Sequence, residues 1–167
     1  MADEKLLKKT LFAIILLIIF THSVEGFTPV EVKPFRCEIS TSAEQQLSHG
    51  VYLTFTVINL TDHELQLLSW YTPFEGFLSD MFIIEGDVGD PLGYNGMMVK
   101  RSTPSIEDYL ILPAKDKVEI TLDLTQAYAL TQGEYTVQLA SKNWHYKHHE
   151  TSLTSQCLAN SFKIKIT

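Results

Sequence analysis

Ser69-Trp70-Tyr71-Thr72-Pro73-Phe74-Glu75-Gly76 opens the stretch, Leu68 to Leu139, from which the fold class follows. Strand-like apolar runs alternate there with turn signals, through Tyr94-Asn95-Gly96-Met97-Met98-Val99-Lys100-Arg101 to a closing Gly133-Glu134-Tyr135-Thr136-Val137. Pro73 presets the backbone φ of a turn, and Gly76 accepts a positive φ without steric cost. Residues 72–76 are therefore predicted to reverse the chain, with Phe74 near the tip of the turn.

The same alternation extends outward from this stretch in both directions. Apolar residues occupy every second position from Val51 to Val57, with threonines at 54 and 56 between them. This period of two is typical of a half-buried strand. Nine short strands are predicted in this way, over residues 35–40, 51–58, 64–71, 80–85, 93–100, 109–112, 118–124, 133–139 and 161–166.

Short strands with regular turn signals, and no amphipathic pattern of helical period, predict an all-β protein. We expect a single antiparallel immunoglobulin-like β-sandwich of about 7–9 strands over residues 27–167. Tyr135 follows Gly133 at the start of a late strand, which is the position of a tyrosine corner. Its hydroxyl is then expected to bond to the backbone a few residues upstream.

Residues 1–26 have the pattern of a signal peptide rather than of a folded element. Lys5, Lys8 and Lys9 precede an apolar run from Leu11 to Phe20, and small residues precede the cleavage site predicted after Gly26. Ten residues span roughly 15 Å as a helix, about half of a bilayer core, so a stable membrane span after cleavage is not expected. The prediction is a secreted protein, extracellular or periplasmic; an uncleaved anchor or a buried helix is the alternative.

The net charge argues against one class of partner, and the cysteine content agrees with a secreted protein. The chain carries a formal net charge of −7, which argues against nucleic acid because phosphate binding needs clustered Lys and Arg. In an oxidising compartment, Cys37 and Cys157 are predicted to form one disulfide that closes a loop of about 120 residues. Two free buried thiols are the alternative.

No constellation of catalytic residues appears, and we expect neither enzymatic activity nor a cofactor or resident metal. His63-Glu64 begins like a zinc-protease motif, but Leu67 stands where the second histidine would be required. His145, His148 and His149 form the one histidine cluster, for which a surface metal site is conceivable and a solvated loop is the better interpretation. Asn59 opens a glycosylation sequon at a strand end, where a turn asparagine is the simpler interpretation.

Recognition is the remaining class of function. The aromatic residues around the turn predict a protein-binding surface, because aromatics anchor interfaces. Trp70 and Phe77 are better interpreted as core residues, whereas Tyr71 and Phe74 can be either exposed or buried. The candidate partner-binding residues are Trp70, Tyr71, Phe74 and Glu75.

A family resemblance rests on a series of motifs in fixed order. The series is Thr72-Pro73-Phe74-Glu75-Gly76, Ser79-Asp80-Met81-Phe82, Tyr94-x-Gly96-Met97-Met98-Val99-Lys100-Arg101, Pro104-x-x-Glu107-Asp108-Tyr109, Leu122-Asp123-Leu124-Thr125-x-Ala127-Tyr128 and Gly133-x-Tyr135-Thr136-Val137. It resembles the N-terminal β-sandwich of deuterolysin-like (aspzincin) peptidyl-Lys metalloendopeptidases, over residues 68–140.

The resemblance carries no catalytic residues. Such peptidases have a zinc-binding His-Glu-x-x-His helix and a later Gly-Thr-x-x-Asp ligand in a following catalytic domain, and neither motif occurs in this sequence, which ends at Thr167. The resemblance therefore implies a role like that of a pro-domain, as an inhibitor or folding chaperone of a secreted metalloprotease. The alternative is a generic extracellular recognition or adhesion module that binds a protein or a glycan.

Overall fold

The structure is a computed structural model that describes residues 33–89 and 91–167. Every regular element in these ranges is a strand or a single 3₁₀ turn. The 3₁₀ turns are Leu47–His49, Pro73–Glu75, Ile106–Asp108 and Leu124–Gln126. The strands are β1 (Phe35–Ser40), β2 (Glu44–Gln45), β3 (Tyr52–Asn59), β4 (Leu65–Leu68), β5 (Phe82–Gly86), β6 (Tyr109–Leu112), β7 (Lys117–Asp123), β8 (Gly133–Leu139), β9 (Asn143–His148), β10 (Thr151–Gln156) and β11 (Phe162–Ile166).

These strands form three sheets, in the orders β1-β3-β7, β10-β9-β4-β6 and β2-β11-β8-β5. Every pairing is antiparallel except that of β2 with β11, which is parallel and two residues long. The predicted all-β, antiparallel architecture is confirmed. The structure has more strands than the expected 7–9, because β2 and the hairpin β9–β10 were not predicted. The predicted signal peptide lies outside the described residues.

One hydrophobic core joins all three sheets. The alternation in β3 places Leu53, Phe55 and Val57 in this core, where each side chain is essentially inaccessible. Aromatic rings connect the β1-β3-β7 sheet to β9: Phe55 meets Trp144 edge to face with ring centroids 5.7 Å apart, and Phe35 meets Tyr146 at 5.6 Å. Such aromatic pairs stabilise a core by about 0.5–1.5 kcal/mol beyond the area that they bury.

The predicted tyrosine corner is present. The hydroxyl of Tyr135 accepts a hydrogen bond from the backbone N–H of Thr131 at 3.3 Å and lies 3.0 Å from the Thr131 hydroxyl. This contact fixes the start of β8 against the preceding loop.

The two cysteines form the predicted disulfide, with Cα atoms 5.6 Å apart. Cys37 lies in β1 and Cys157 follows β10, so the bond connects the first strand to the segment before the last one.

Asn59 is a structural turn residue, as the simpler interpretation predicted. Its side chain is 1% exposed, donates to the carbonyls of His63 and Leu112, and accepts from the N–H and hydroxyl of Thr61. The amide nitrogen that glycosylation would modify is therefore buried and bonded in the folded chain.

The strand predicted over residues 93–100 is wrong. The backbone amides of this segment bond singly to separate elements, Asn95 to Ala127 and Val99 to Leu78, instead of forming a ladder. Gly96 bends the chain so tightly under Tyr94 that a Cβ atom would lie 2.4 Å from the tyrosine hydroxyl. As a result, both Met97 and Met98 are exposed.

The loop predicted around residues 144–150 is also wrong. It is the hairpin β9–β10, and its turn contains His149 with a positive φ of 52°. Trp144 and Tyr146 face the core while Asn143 and His145 face outward. The period-two pattern was present, but polar residues at the outward positions gave it the appearance of a loop.

Candidate binding groove

A groove of about 480 Å³ lies on the β10-β9-β4-β6 sheet. Its lining includes residues from the 69–76 and 99–105 loop segments and from the start of β9. The lining residues are Leu68, Trp70, Tyr71, Arg101, Pro104, Tyr109, Lys142, Asn143, Trp144, His145, Tyr146 and Ser152.

The strand register places this groove on the outer face of the sheet. Leu67 pairs with Tyr146, and both are buried in the core. Because neighbouring residues in a strand point to opposite faces, Leu68 and its partner Tyr109 face outward. Although Leu68 faces outward, only 8% of it is exposed, because the side chains around the groove cover it.

Tyr71 is held in a conformation that is unusual for a large side chain. Its φ is +60°, in the left-handed region, and 45% of the residue is exposed. This backbone conformation costs a non-glycine residue roughly 1–2 kcal/mol. The local hydrogen bonds impose it: the Tyr71 N–H donates to Glu75 Oε1 at 2.9 Å, and both the N–H and the hydroxyl of Thr72 donate to the carbonyl of Ser69.

A buried ion pair supports the turn from beneath. Glu75 Oε2 pairs with Arg101 Nη2, and the side chains of Glu75 and Arg101 are 4% and 18% exposed. Glu75 Oε1 also accepts from Ser79 Oγ at 3.1 Å, so the carboxylate joins three separate segments. The guanidinium of Arg101 lies over the Trp70 ring, 5.2 Å from its centroid, in a cation–π contact.

Asp108 fixes the other edge of Trp70. The indole Nε1–H donates to Asp108 Oδ1 at 2.8 Å, while Asp108 Oδ2 accepts from the backbone N–H and the hydroxyl of Ser105. Hydrogen bonds from Ser105, then that from Trp70 and the charge of Arg101, lower the pKa of the Asp108 carboxyl. The charged carboxylate therefore holds the ring plane of Trp70 relative to β6.

Cationic and aromatic groups border the rest of the groove. The Lys147 ammonium lies 4.0 Å from the centroid of the Tyr109 ring. Lys142 donates from Nζ to the backbone carbonyl of Asp80 at 2.7 Å and remains exposed. Among the described residues that line the groove, none is Asp or Glu.

The structure separates the four candidate partner-binding residues into two pairs. Trp70 and Tyr71 line the groove, and Trp70 is half-buried there instead of filling the core as expected. Phe74 points inward, with its ring centroid 5.5 Å from that of Phe55, and Glu75 is buried beneath the turn. The turn therefore does not present Phe74 at an exposed tip, because its 3₁₀ geometry directs that side chain to the core.

Sequence reasoning did not identify Arg101, Tyr109 and His145 as groove residues. Arg101 ends the motif that begins at Tyr94, but nothing in the sequence indicates that it pairs with Glu75 across 26 positions. The alternation in residues 143–146 was the one available signal for His145.

The three clustered histidines do not converge on one point. His148 stacks on His63 and lies beside His149, with ring centroids 3.7 and 4.3 Å apart, whereas His145 lines the groove. Within the described residues, no group of three or more His, Cys, Asp or Glu side chains is placed to hold a metal ion. Among the same residues, no helix is long and apolar enough to cross a bilayer.

Part of this chain is similar to part of a known protease. It is 29% identical over 89 residues to a protein named "Extracellular protease" from Aeromonas hydrophila, and the match covers 53% of this chain and 25% of that protein. The chain thus matches about a quarter of this relative's length. No protein-family model matches the chain. The finer resemblance to the aspzincin N-terminal sandwich remains a prediction.

Remote likenesses to solved structures were also found. The CARDB domain of the PF1109 protein from Pyrococcus furiosus, solved in complex with di-metal ions, has a TM-score of 0.40 and 14% identity, over 83% of this chain and 97% of that one. A beta-glucosidase from Listeria innocua, in complex with isofagomine, has a TM-score of 0.37 and 11% identity, over 80% of this chain and 16% of that one.

Proposed function

We propose that this protein is a secreted, non-catalytic binding domain that uses the groove to bind an aspzincin-type metalloendopeptidase. Its role is that of an inhibitor or a folding chaperone. The segments that resemble the aspzincin sandwich include the loops that form the groove. The similarity to part of an extracellular protease supports a protease-associated role, and the disulfide is consistent with secretion.

The conformation of Tyr71 carries this proposal. A large aromatic residue that lines the groove occupies a left-handed backbone position and is 45% exposed. Glycine would be more stable at such a position, so the tyrosine opposes folding there. Local strain of this kind is typical of functional sites, where the side chain is retained for what it contacts.

A binding assay with matched variants tests the proposal. The purified protein is presented to an aspzincin-type metalloendopeptidase on a biosensor, beside the variants Tyr71→Ala and Tyr52→Ala. Tyr52 is a suitable control because it is 47% exposed on β3, which contributes no residue to the groove.

We expect saturable binding that Tyr71→Ala weakens by more than about tenfold, as for an aromatic hot spot, and that Tyr52→Ala leaves unchanged. Absence of binding at micromolar concentration, or equal loss in both variants, would refute the proposal.

A glycan is the second candidate ligand. The lining combines ring faces, from exposed Tyr71 and half-buried Trp70, with the polar groups of Asn143, His145 and Ser152. Apolar walls with a few convergent polar groups are the usual composition of a small-ligand site. Screening on an immobilised glycan array separates the two candidates, since only the glycan candidate predicts Tyr71-dependent binding to a sugar.

A further inference from the structure

We infer that the groove accepts an extended peptide segment of the partner that carries a carboxylate beside an aromatic or large aliphatic side chain. This inference rests on the proposed function and specifies what the groove recognises in the partner. It follows from three properties of the groove: its course along a strand, its charge and its apolar surface.

The groove follows the chain direction of β9. The lining includes residues 142–146, together with Ser152 on the neighbouring strand β10. Lys142 precedes β9, the side chains of Asn143 and His145 in β9 face outward, and those of Trp144 and Tyr146 face the core. At a rise of about 3.3 Å per residue, five consecutive positions span roughly 17 Å. An extended segment of about five residues matches this length.

The charged side chains that line the groove are cationic, whereas the whole chain is acidic. The chain carries a net charge of −7, yet the charged side chains in the lining are those of Arg101 and Lys142, with Lys147 packed on the lining residue Tyr109. Glu75 balances part of the Arg101 charge, but its side chain is only 4% exposed. Asp108, which accepts from Trp70 Nε1, also interacts with the Arg101 charge, whereas Lys142 bonds to a backbone carbonyl. A carboxylate would therefore meet N–H donors at the groove surface.

The apolar surface lies next to these cations. Leu68 lies on the sheet face beneath the groove, and Trp70, Tyr71, Pro104 and Tyr109 surround it with ring and methylene surface. A peptide side chain that packs on this surface removes apolar area from water. An aromatic or large aliphatic residue buries the most area and therefore contributes the most binding free energy. A basic segment would instead place like charges against Arg101 and Lys142.

Selection from a random peptide library tests this inference. Twelve-residue peptides displayed on phage are selected on the immobilised protein at low salt, and the enriched sequences are synthesised with a fluorescent label. We expect Asp or Glu within two positions of Trp, Tyr, Phe, Leu or Ile. Their affinity should fall at high salt, because the Debye length shrinks from about 30 Å at 0.01 M to about 3 Å at 1 M.

Charge-reversal variants localise the binding. Lys142→Glu should weaken the selected acidic peptides by at least about tenfold. Lys163→Glu should not, because Lys163 is exposed on β11 outside the groove. Selection of Lys- or Arg-rich peptides, no enrichment, or equal binding by Lys142→Glu would overturn the inference. If the metalloendopeptidase nevertheless binds in a Tyr71-dependent manner, the proposed function stands and only this recognition rule fails.

Discussion

Tyr71 is the residue at which stability and binding are expected to conflict. Replacing it by glycine removes the cost of a left-handed φ while leaving the Tyr71 N–H free to bond to Glu75. We predict that Tyr71→Gly keeps the stability of the protein or raises it by up to about 1 kcal/mol, because glycine's greater freedom in the unfolded chain offsets part of the relief. Urea unfolding measures this change.

The same variant should lose binding to the metalloendopeptidase. A gain in stability together with a loss of binding in Tyr71→Gly would indicate that Tyr71 serves to contact the partner and not to stabilise the fold. A clear loss of stability in Tyr71→Gly would show instead that the ring packs for structural reasons.

Glu75 has the opposite role, because it supports the groove without being reachable. Glu75→Gln leaves the Arg101 guanidinium largely buried without its counter-charge. Removing one partner of a fully buried pair costs about 3–5 kcal/mol, and the partial exposure of Arg101 leads us to expect about 2–3 kcal/mol. The decrease is measured by urea unfolding, with Glu85→Gln as a control on an exposed carboxylate.

The double variant Glu75→Gln with Arg101→Gln distinguishes charge from packing. We expect it to be more stable than Glu75→Gln alone, since no unpaired charge remains. Additive losses in the double variant would contradict a role for the ion pair.

At the level of strands and loops, an element could be predicted only where the alternation of polar and apolar residues was visible within its own segment. β3 and β7 were predictable because polar and apolar residues alternate along them without interruption. The segment 93–100 was not, since Gly96 and the Tyr94 ring force a bend that an alternating pattern cannot reveal. The Glu75–Arg101 pair was beyond prediction for a related reason, because it joins two loops whose approach depends on the complete fold.

The disulfide is expected to contribute substantially to stability. It spans 120 residues, and for a loop of that size the loss of unfolded-chain entropy corresponds to about 4–5 kcal/mol. The double variant Cys37→Ser and Cys157→Ser should therefore unfold at markedly lower urea concentration, with a loss of about 2–5 kcal/mol. An unchanged urea midpoint in the double variant would show that the disulfide does not contribute to stability.

The stacked rings of His63, His148 and His149 form a histidine stack that should make the stability of the protein sensitive to acid. Burial, and then the neighbouring charges of His63 and His149, lower the pKa of His148 from its ordinary value of 6.5, while Asp62 acts in the opposite direction. Because the lowered pKa disfavours the His148 cation in the fold, the contribution of His148 to stability is fully present above pH 6.5 and decreases as the pH falls below 6.5.

Melting temperatures at pH 7.5 and pH 5.5 test this sensitivity. We predict that the melting temperature of the natural protein is lower at pH 5.5 than at pH 7.5. This difference should be smaller in His148→Gln and the same as in the natural protein in His49→Gln, because His49 is exposed and is not part of the stack. The lowered pKa values of Asp62, Asp108 and Glu119 affect stability only at lower pH, where those carboxyls titrate. Equal decreases in all three proteins would exclude the stack as the cause.

For the whole molecule, the sequence predicted the fold class, the disulfide and the tyrosine corner, because each depends on local pattern or on cysteine count. It pointed to Trp70 and Tyr71, but it could not show that a groove lies beside them on the outer face of a sheet. That face is formed by β4, β6 and the hairpin β9–β10, and β4 meets β6 and β9 only through long-range pairing. The resemblance provided a partner class, and the structure provides a surface where such a partner can be tested.

A titration of the purified protein into an active aspzincin-type metalloendopeptidase tests the central claim most directly. Residual peptidase activity and the yield of refolded peptidase are measured together, with Tyr71→Gly and Tyr52→Ala in parallel. The proposed role predicts a saturable fall in activity or a rise in refolding yield, lost in Tyr71→Gly and kept in Tyr52→Ala. Unchanged activity and refolding yield at micromolar excess of the natural protein would contradict it.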